Sequence, residues 1–164
     1  MAVKEISFLK QSVIDDLSRE AAASPRRRKN LNYHATHEHP CQRLMNTMQA
    51  DSYVPPHRHM AADKDEVMVI LRGRAGLVFF DDTGRVTQTQ RMEAGGDCLG
   101  VNIPVGQFHT IVAFDDGMTV FECKAGPYEP NTAMEKASFA PAEGSPGVAA
   151  YLAGLKALFG EQQA

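Results

Sequence analysis

The sequence of 164 residues has no tryptophan, only three cysteines and no long apolar run. Cys41, Cys98 and Cys123 are odd in number and form no CxxC motif, so we expect reduced thiols rather than a disulfide framework. No stretch approaches the roughly 20 apolar residues that cross a bilayer. Asp15 and Asp16 stand where a signal peptide would have its apolar segment. These absences predict a cytoplasmic protein with no membrane partner.

Neither sign of charge dominates the chain. Lysine and arginine number 17 and aspartate and glutamate 20, for a net charge of −3. A chain with this balance has no overall electrostatic attraction to nucleic acid, so we expect a small-molecule ligand instead. Hydrophobic residues make up 43% and charged residues 23%, values typical of one soluble globular domain with a sizeable core.

Helices are predicted only near the two ends of the chain. Apolar residues recur at three- and four-residue spacing over 7–22 and over 147–159, and Pro25 ends the first of these segments. Between them, short apolar segments separated by Gly, Pro and Asp are typical of a β-sandwich or small barrel. The eight predicted strands cover residues 42–49, 52–59, 66–72, 74–80, 85–91, 97–103, 107–114 and 117–124.

This pattern predicts an all-β fold built as one barrel with appendages. No helical segment between the strands is long enough for βαβ crossovers, so a parallel α/β sheet is not expected. We divide the chain into an N-terminal helix and arm (1–41), a barrel (42–126) and a C-terminal extension that carries the last helix (127–164).

A small set of histidines and one glutamate carries the chemistry. His57 and His59 lie two residues apart, and in a strand both side chains would point to the same face. Glu66 opens the next predicted strand, and His109 opens a later one after a Pro-Val-Gly turn. An HxH pair alone is a weak signal, but three imidazoles and one carboxylate suit one divalent metal: Zn, Fe, Mn, Ni or Co.

Two segments resemble the conserved motifs of the cupin superfamily. His57-x-His59 followed by Glu66-x6-Gly73 resembles the first motif, and Pro104-x-Gly106-x2-His109 resembles the second. The resemblance implies a double-stranded β-helix, which is a jelly-roll barrel, with short N- and C-terminal helices. It also implies that His57, His59, Glu66 and His109 are the metal ligands. The gap between His59 and Glu66 is longer than is usual in cupins, so Asp63 and Asp65 stay as alternatives to Glu66.

More narrowly, the chain resembles WbuC-type cupin-fold metalloproteins over about residues 24 to 155. The resemblance implies a role in the sugar or nucleotide-sugar metabolism of surface polysaccharides such as O-antigen. A metal-dependent isomerase or epimerase is the leading hypothesis, and a homodimer is expected. The alternatives are a non-catalytic ligand-binding or sensor cupin and a non-haem iron dioxygenase. Four segments carry the narrower resemblance: SPRRRxNLN at 24–32, SYVxPHRH at 52–59, LRGR at 71–74 and KxGPY at 124–128.

Several other polar residues are weaker candidates for substrate binding. Arg28 and Asn32 lie in the basic segment that begins the narrower resemblance, where an anionic ligand such as an anionic sugar could bind. The same segment could instead tie the N-terminal arm to the barrel. Lys124 alternates with Glu122 on the last predicted strand, facing either the barrel mouth or water. His34 is a further candidate, although His34, His37 and His39 in an irregular connector are more often simply exposed than a second metal site.

Overall fold

The computed structural model describes residues 6–62, 64–130, 132 and 134–160. The helices are α1 (Gln11–Ala23) and α2 (Val148–Ala157). The strands are β1 (Arg28–Asn32), β2 (Cys41–Met48), β3 (Glu66–Arg72), β4 (Arg74–Phe80), β5 (Val86–Glu93), β6 (Gly100–Ile103), β7 (Phe108–Ala113) and β8 (Met118–Ala125).

The strands form two antiparallel sheets. One has five strands in the order β1-β2-β8-β3-β6, and the other has three in the order β5-β4-β7. The sheets enclose a core of mainly aliphatic and methionine side chains, among them Met68, Ile70, Leu77 and Ile111. The predicted all-β jelly-roll barrel with short terminal helices is confirmed.

Side-chain alternation fixes which residues point into the barrel. In β3, Glu66, Met68 and Ile70 are buried, whereas Val67 and Val69 are about 40% exposed on the outer face. Gly73 joins β3 to β4 with a φ of 73°, which a residue with a side chain rarely adopts. The first residue of β3 therefore places its carboxylate inside the barrel.

Helices cover parts of both outer surfaces. Ile14 and Leu17 of α1 pack on Met45 of β2, and Leu152 and Leu155 of α2 join a second core with aromatic and aliphatic residues of the three-stranded sheet. For this reason β4 is buried along almost its whole length, on both faces. Among the described residues, no helix is long and apolar enough to span a membrane.

Two predictions about the strands were wrong. Residues 52–59 form no strand: only His57 makes isolated bridges, to His109 and to Lys136. Conversely, residues 28–32 form β1, an edge strand that the sequence pattern did not predict. The cysteines are free: Cys41 is exposed, and Cys98 and Cys123 are half-buried.

Candidate metal centre

His57, His59, Glu66 and His109 converge inside the barrel. Their potential ligand atoms all lie within 4.8 Å of one another. His57 and His109 exchange two backbone hydrogen bonds, with N–O distances of 3.0 and 2.9 Å. The carbonyl of His59 accepts from the Gly106 amide at 2.8 Å, in the turn before β7. These bonds, rather than a regular strand, bring the HxH pair to His109.

Backbone carbonyls orient two of the three imidazoles. Nδ1 of His57 lies 3.0 Å from the carbonyl oxygen of Pro55, and Nδ1 of His109 lies 2.9 Å from that of Gln107. A carbonyl only accepts, so each Nδ1 carries the proton and each Nε2 keeps its lone pair for a metal. The tautomer that a metal site requires is therefore fixed by the chain itself.

The two oxygens of Glu66 have different neighbours. Oε2 lies 3.3 Å from Nε2 of His59 and 3.1 Å from Nε2 of His109. Oε1 lies 3.3 Å from Nζ of Lys124. Although burial raises the pKa of Glu66, the charge of Lys124 and the hydrogen bond from His59 hold it well below its usual value. The carboxylate is therefore ionised, as a metal ligand must be.

These donors fit a divalent metal. Bonds of about 2.1 Å place neighbouring ligand atoms roughly 3 Å apart, close to the distances seen around Oε2 of Glu66. Burial and the nearby His109 lower the pKa of His57 to about 3, so its imidazole is neutral at neutral pH. Three imidazoles and one carboxylate match the preference of Zn, Fe, Mn, Ni and Co for mixed nitrogen and oxygen ligands.

The cluster lies on the wall of a cavity of about 730 Å³. Lys124 and Glu122 of β8 face this cavity, because they lie opposite Glu66 and Met68 in the β3–β8 register. Asn46 of β2 donates to Oε1 of Glu122 at 3.0 Å. Burial and the charge of Glu66 raise the pKa of Glu122. The cavity thus holds a second carboxyl group that retains a proton more readily than usual.

Basic side chains lie around the rim of the cavity. Arg28 from β1 is buried; it donates to the carbonyl of Tyr53 at 2.9 Å and pairs with Glu143 at 2.6 Å. The same carboxylate holds Arg26 at 3.2 Å. Further cations come from residues 29 and 136, the latter in the C-terminal segment. Sequence analysis missed Asn46, Lys136 and Glu143 as residues of the cavity, because contacts between distant parts of the chain bring them to it.

Not every predicted site residue is part of this cavity. Asn32 and His34 line a separate surface depression beside Phe8 and Tyr33, and Nδ1 of His34 bonds the backbone of Arg43. The structure thus brings Arg28 and Lys124 to the metal cluster and leaves Asn32 and His34 elsewhere.

The neighbouring histidines form no second cluster in the described part of the chain. The ring of His37 packs edge-on against Tyr128, and Nδ1 of His39 bonds the backbone of Cys41. Asp65 does not join the metal ligands either, because it accepts from the amide of Val105 at 3.0 Å. Asp63, the other alternative to Glu66, lies outside the described residues.

Comparison with known proteins agrees with this fold. A family model described as a domain of unknown function (DUF6016) matches residues 9–92, and no curated protein matches the sequence. A conserved protein of unknown function from Streptococcus pyogenes is 11% identical over 77% of this chain and 93% of its own, with a TM-score of 0.51.

Cupin-fold proteins are among the solved structures that the chain resembles. KdgF from a Halomonas species is 15% identical over 65% of this chain and 84% of its own, with a TM-score of 0.49. A cupin superfamily protein from Desulfitobacterium hafniense is 13% identical over 60% and 76%, with a TM-score of 0.47. At these identities the likeness concerns the fold alone.

Proposed function

The chain belongs to the DUF6016 family, and we propose that it is a cupin metalloenzyme that acts on a small anionic molecule through one divalent metal. The observation that carries the proposal is the convergence of three histidines and a glutamate in a cavity with a cationic rim. When bound, the metal supplies a Lewis acid that polarises a substrate oxygen. The protein supplies the ligands, the shape of the cavity and the groups that hold protons.

The charges inside the cavity favour an anionic ligand. A divalent metal together with Lys124 would outweigh Glu66, and Glu122, with its raised pKa, adds little negative charge when protonated. A buried excess of positive charge is costly unless an anion compensates it. Lys29 and Lys136 extend the positive potential to the rim. A phosphate, diphosphate or carboxylate group on the substrate would supply this charge.

Glu122 supports an enzyme over a passive binding protein. Its carboxyl group lies in the same cavity as the metal ligands and is anchored by Asn46. A carboxyl group whose pKa is raised keeps its proton to a higher pH than usual, so it can donate a proton and, once ionised, accept one. Metal polarisation of a carbonyl beside such a group is the arrangement that an isomerisation or epimerisation requires. This is the reaction class that we propose.

A sugar or nucleotide-sugar of surface-polysaccharide metabolism is the substrate class that we propose. The resemblance to WbuC-type metalloproteins supports it, and so do polar groups on the cavity wall, such as those of Asn30, Asn46 and Tyr128, which can bond hydroxyls. We also propose a cytoplasmic homodimer. The free cysteines support a reducing compartment, and Val67 and Val69 expose an apolar surface on β3. Light scattering of the purified protein tests the dimer.

Metal analysis tests the ligand set. Protein stripped with a chelator and reloaded is expected to bind one equivalent of Zn²⁺ or Co²⁺, and His57→Ala and His109→Ala are expected to lose most of it. His39→Ala is the matched control, because His39 lies outside the cluster. Full metal retention in both site variants would contradict the ligand assignment.

Catalysis is tested by incubating the metal-loaded protein with sugar phosphates and nucleotide-sugars in D₂O. An isomerase or epimerase incorporates deuterium from solvent into the substrate, and Glu122→Gln is expected to lower that rate at least 100-fold. Stabilisation of the protein by a ligand that is never converted would instead indicate a binding or sensor protein.

A further inference from the structure

We propose that Lys124 is a positioning residue: it holds Oε1 of Glu66, leaves only Oε2 for the metal, and weakens the affinity of the site for a cation. The inference rests on the proposed metal site and changes the role of Lys124 from direct substrate binding to control of a ligand.

The sheet itself places the ammonium group on Glu66. Glu66 and Lys124 are directly opposite in the antiparallel β3–β8 pair, so both side chains point into the barrel. Nζ lies 3.3 Å from Oε1, while Oε2 faces His59 and His109. Of the lysines and arginines in the described segments, Lys124 alone pairs with Glu66.

Glu122, the other carboxylate in the cavity, does not replace Glu66 as the partner of Lys124. Glu122 lies two residues along β8 and faces the same cavity, yet its hydrogen bond comes from Asn46. The side chain of Lys124 is only 18% exposed and forms its ion pair with Glu66, which is 2% exposed. The ammonium group is therefore committed to one oxygen of one metal ligand.

Two consequences follow for a bound metal. A carboxylate that offers one oxygen occupies one coordination position instead of two, so a metal that prefers five or six ligands keeps positions for a substrate. In addition, the fixed positive charge of Lys124 beside Glu66 repels the metal cation and so lowers the affinity of the site for it. Lys124 therefore favours an exchangeable metal with free coordination positions over a tightly bound metal whose positions are all filled by the protein.

The test uses Co²⁺ as the probe, because its visible spectrum reports the ligands and their geometry. Lys124→Met removes the charge and the hydrogen bond with little change in volume. We expect this variant to bind Co²⁺ at least tenfold more tightly than the wild type and to show a changed visible spectrum. Lys124→Arg keeps a cation and is expected to retain the wild-type affinity and spectrum. Lys136→Met, which removes an exposed cation from the same cavity, is the control and is expected to leave the spectrum unchanged.

A second background shows whether Lys124 acts through Glu66. In Glu66→Gln protein, adding Lys124→Met is expected to change the Co²⁺ spectrum no further. If Lys124→Met does not fold without metal, Lys124→Gln is measured in its place, with the same expected gain in affinity. A wild-type spectrum in the neutral variant, or a weaker affinity for Co²⁺, would overturn the inference. Failure of the wild-type protein to bind Co²⁺ would overturn the proposed function itself.

Discussion

The depressed pKa of His57 predicts that acid destabilises the metal-free protein well above the range of ordinary acid unfolding. In the folded protein, burial and the nearby His109 lower the pKa of His57 from 6.5 to about 3. Between these values the unfolded chain binds a proton that the folded chain excludes, so the free energy of unfolding decreases as the pH falls below 6.5. The stabilisation is complete above pH 6.5 and is lost progressively toward about pH 3.

The size of the effect follows from the same values. From pH 6.5 to about pH 5 the loss is about 2 kcal/mol, at about 1.4 kcal/mol per unit. Glu66 acts differently: its pKa is depressed, so the stability it contributes is present above its ordinary value of 4.5 and decreases only below that value. Glu122, whose pKa is raised, gains stability as the pH falls, so only the difference between the wild type and a His57 variant isolates the histidine between about pH 7.5 and about pH 5.

Urea unfolding of chelator-treated protein measures this loss at the two pH values. His57→Gln is the matched variant, because glutamine stays neutral and can still donate to the carbonyl of Pro55. We expect the wild type to lose about 2 kcal/mol more than this variant on acidification. Parallel losses in the two proteins would refute the reasoning that His57 is held neutral by its surroundings.

Three further predictions concern the barrel and its rim. Gly100→Ala would place a Cβ 2.4 Å from the Met68 carbonyl, so it is expected to cost about 2–3 kcal/mol and lower the thermal midpoint by roughly 5–10 °C; an unchanged midpoint would contradict the close β3–β6 packing. Gly154→Ala in α2 meets no atom within 4 Å and is expected to stabilise the protein by up to about 1 kcal/mol in the same thermal assay. Arg28→Met breaks the pair with Glu143, so it is expected to cost about 2 kcal/mol in urea unfolding and to speed proteolysis within residues 127–147; equal cleavage rates would show that the pair does not hold this segment.

Local sequence predicted well the strands whose apolar segments are bounded by a turn residue. Residues 66–72 and 74–80 were predicted with the bounds of β3 and β4. Two apolar segments are separated there by Gly73, whose positive φ belongs to a turn. The prediction of a strand at 52–59 failed because this segment forms isolated bonds in place of a regular ladder. Its carbonyls at Val54 and Pro56 accept from Thr110 and Ala137, and so its partners include irregular chain some 80 residues away. Local alternation carries no information about such partners.

Strand β1 was missed because local sequence gives no sign of its pairing with β2. Its five residues, RKNLN, have no alternating apolar pattern, and this edge strand pairs only with β2. Leu31 packs with α1, and Arg28, Lys29 and Asn30 lie near the rim. Without the pairing to β2, the basic residues 26–29 are equally compatible with a solvent-exposed segment. Its position at the cavity mouth emerges only from the register of β1 against β2.

The convergence of three histidines and one glutamate was predictable from the sequence, whereas the charges around this cluster were not. The ligand residues can be recognised from local sequence, because the HxH pair and the turn before His109 are short motifs with fixed spacing. The charge around them depends on which lysine or arginine each carboxylate pairs with across the fold. Arg28 and Glu143 are 115 residues apart, and Lys124 and Glu66 are 58 apart. A net charge of −3 therefore argues against a polyanionic partner but says little about a small anion. Because screening confines the field of exposed charges to about 10 Å, a few cations at one rim can select an anionic substrate on a chain that is acidic overall.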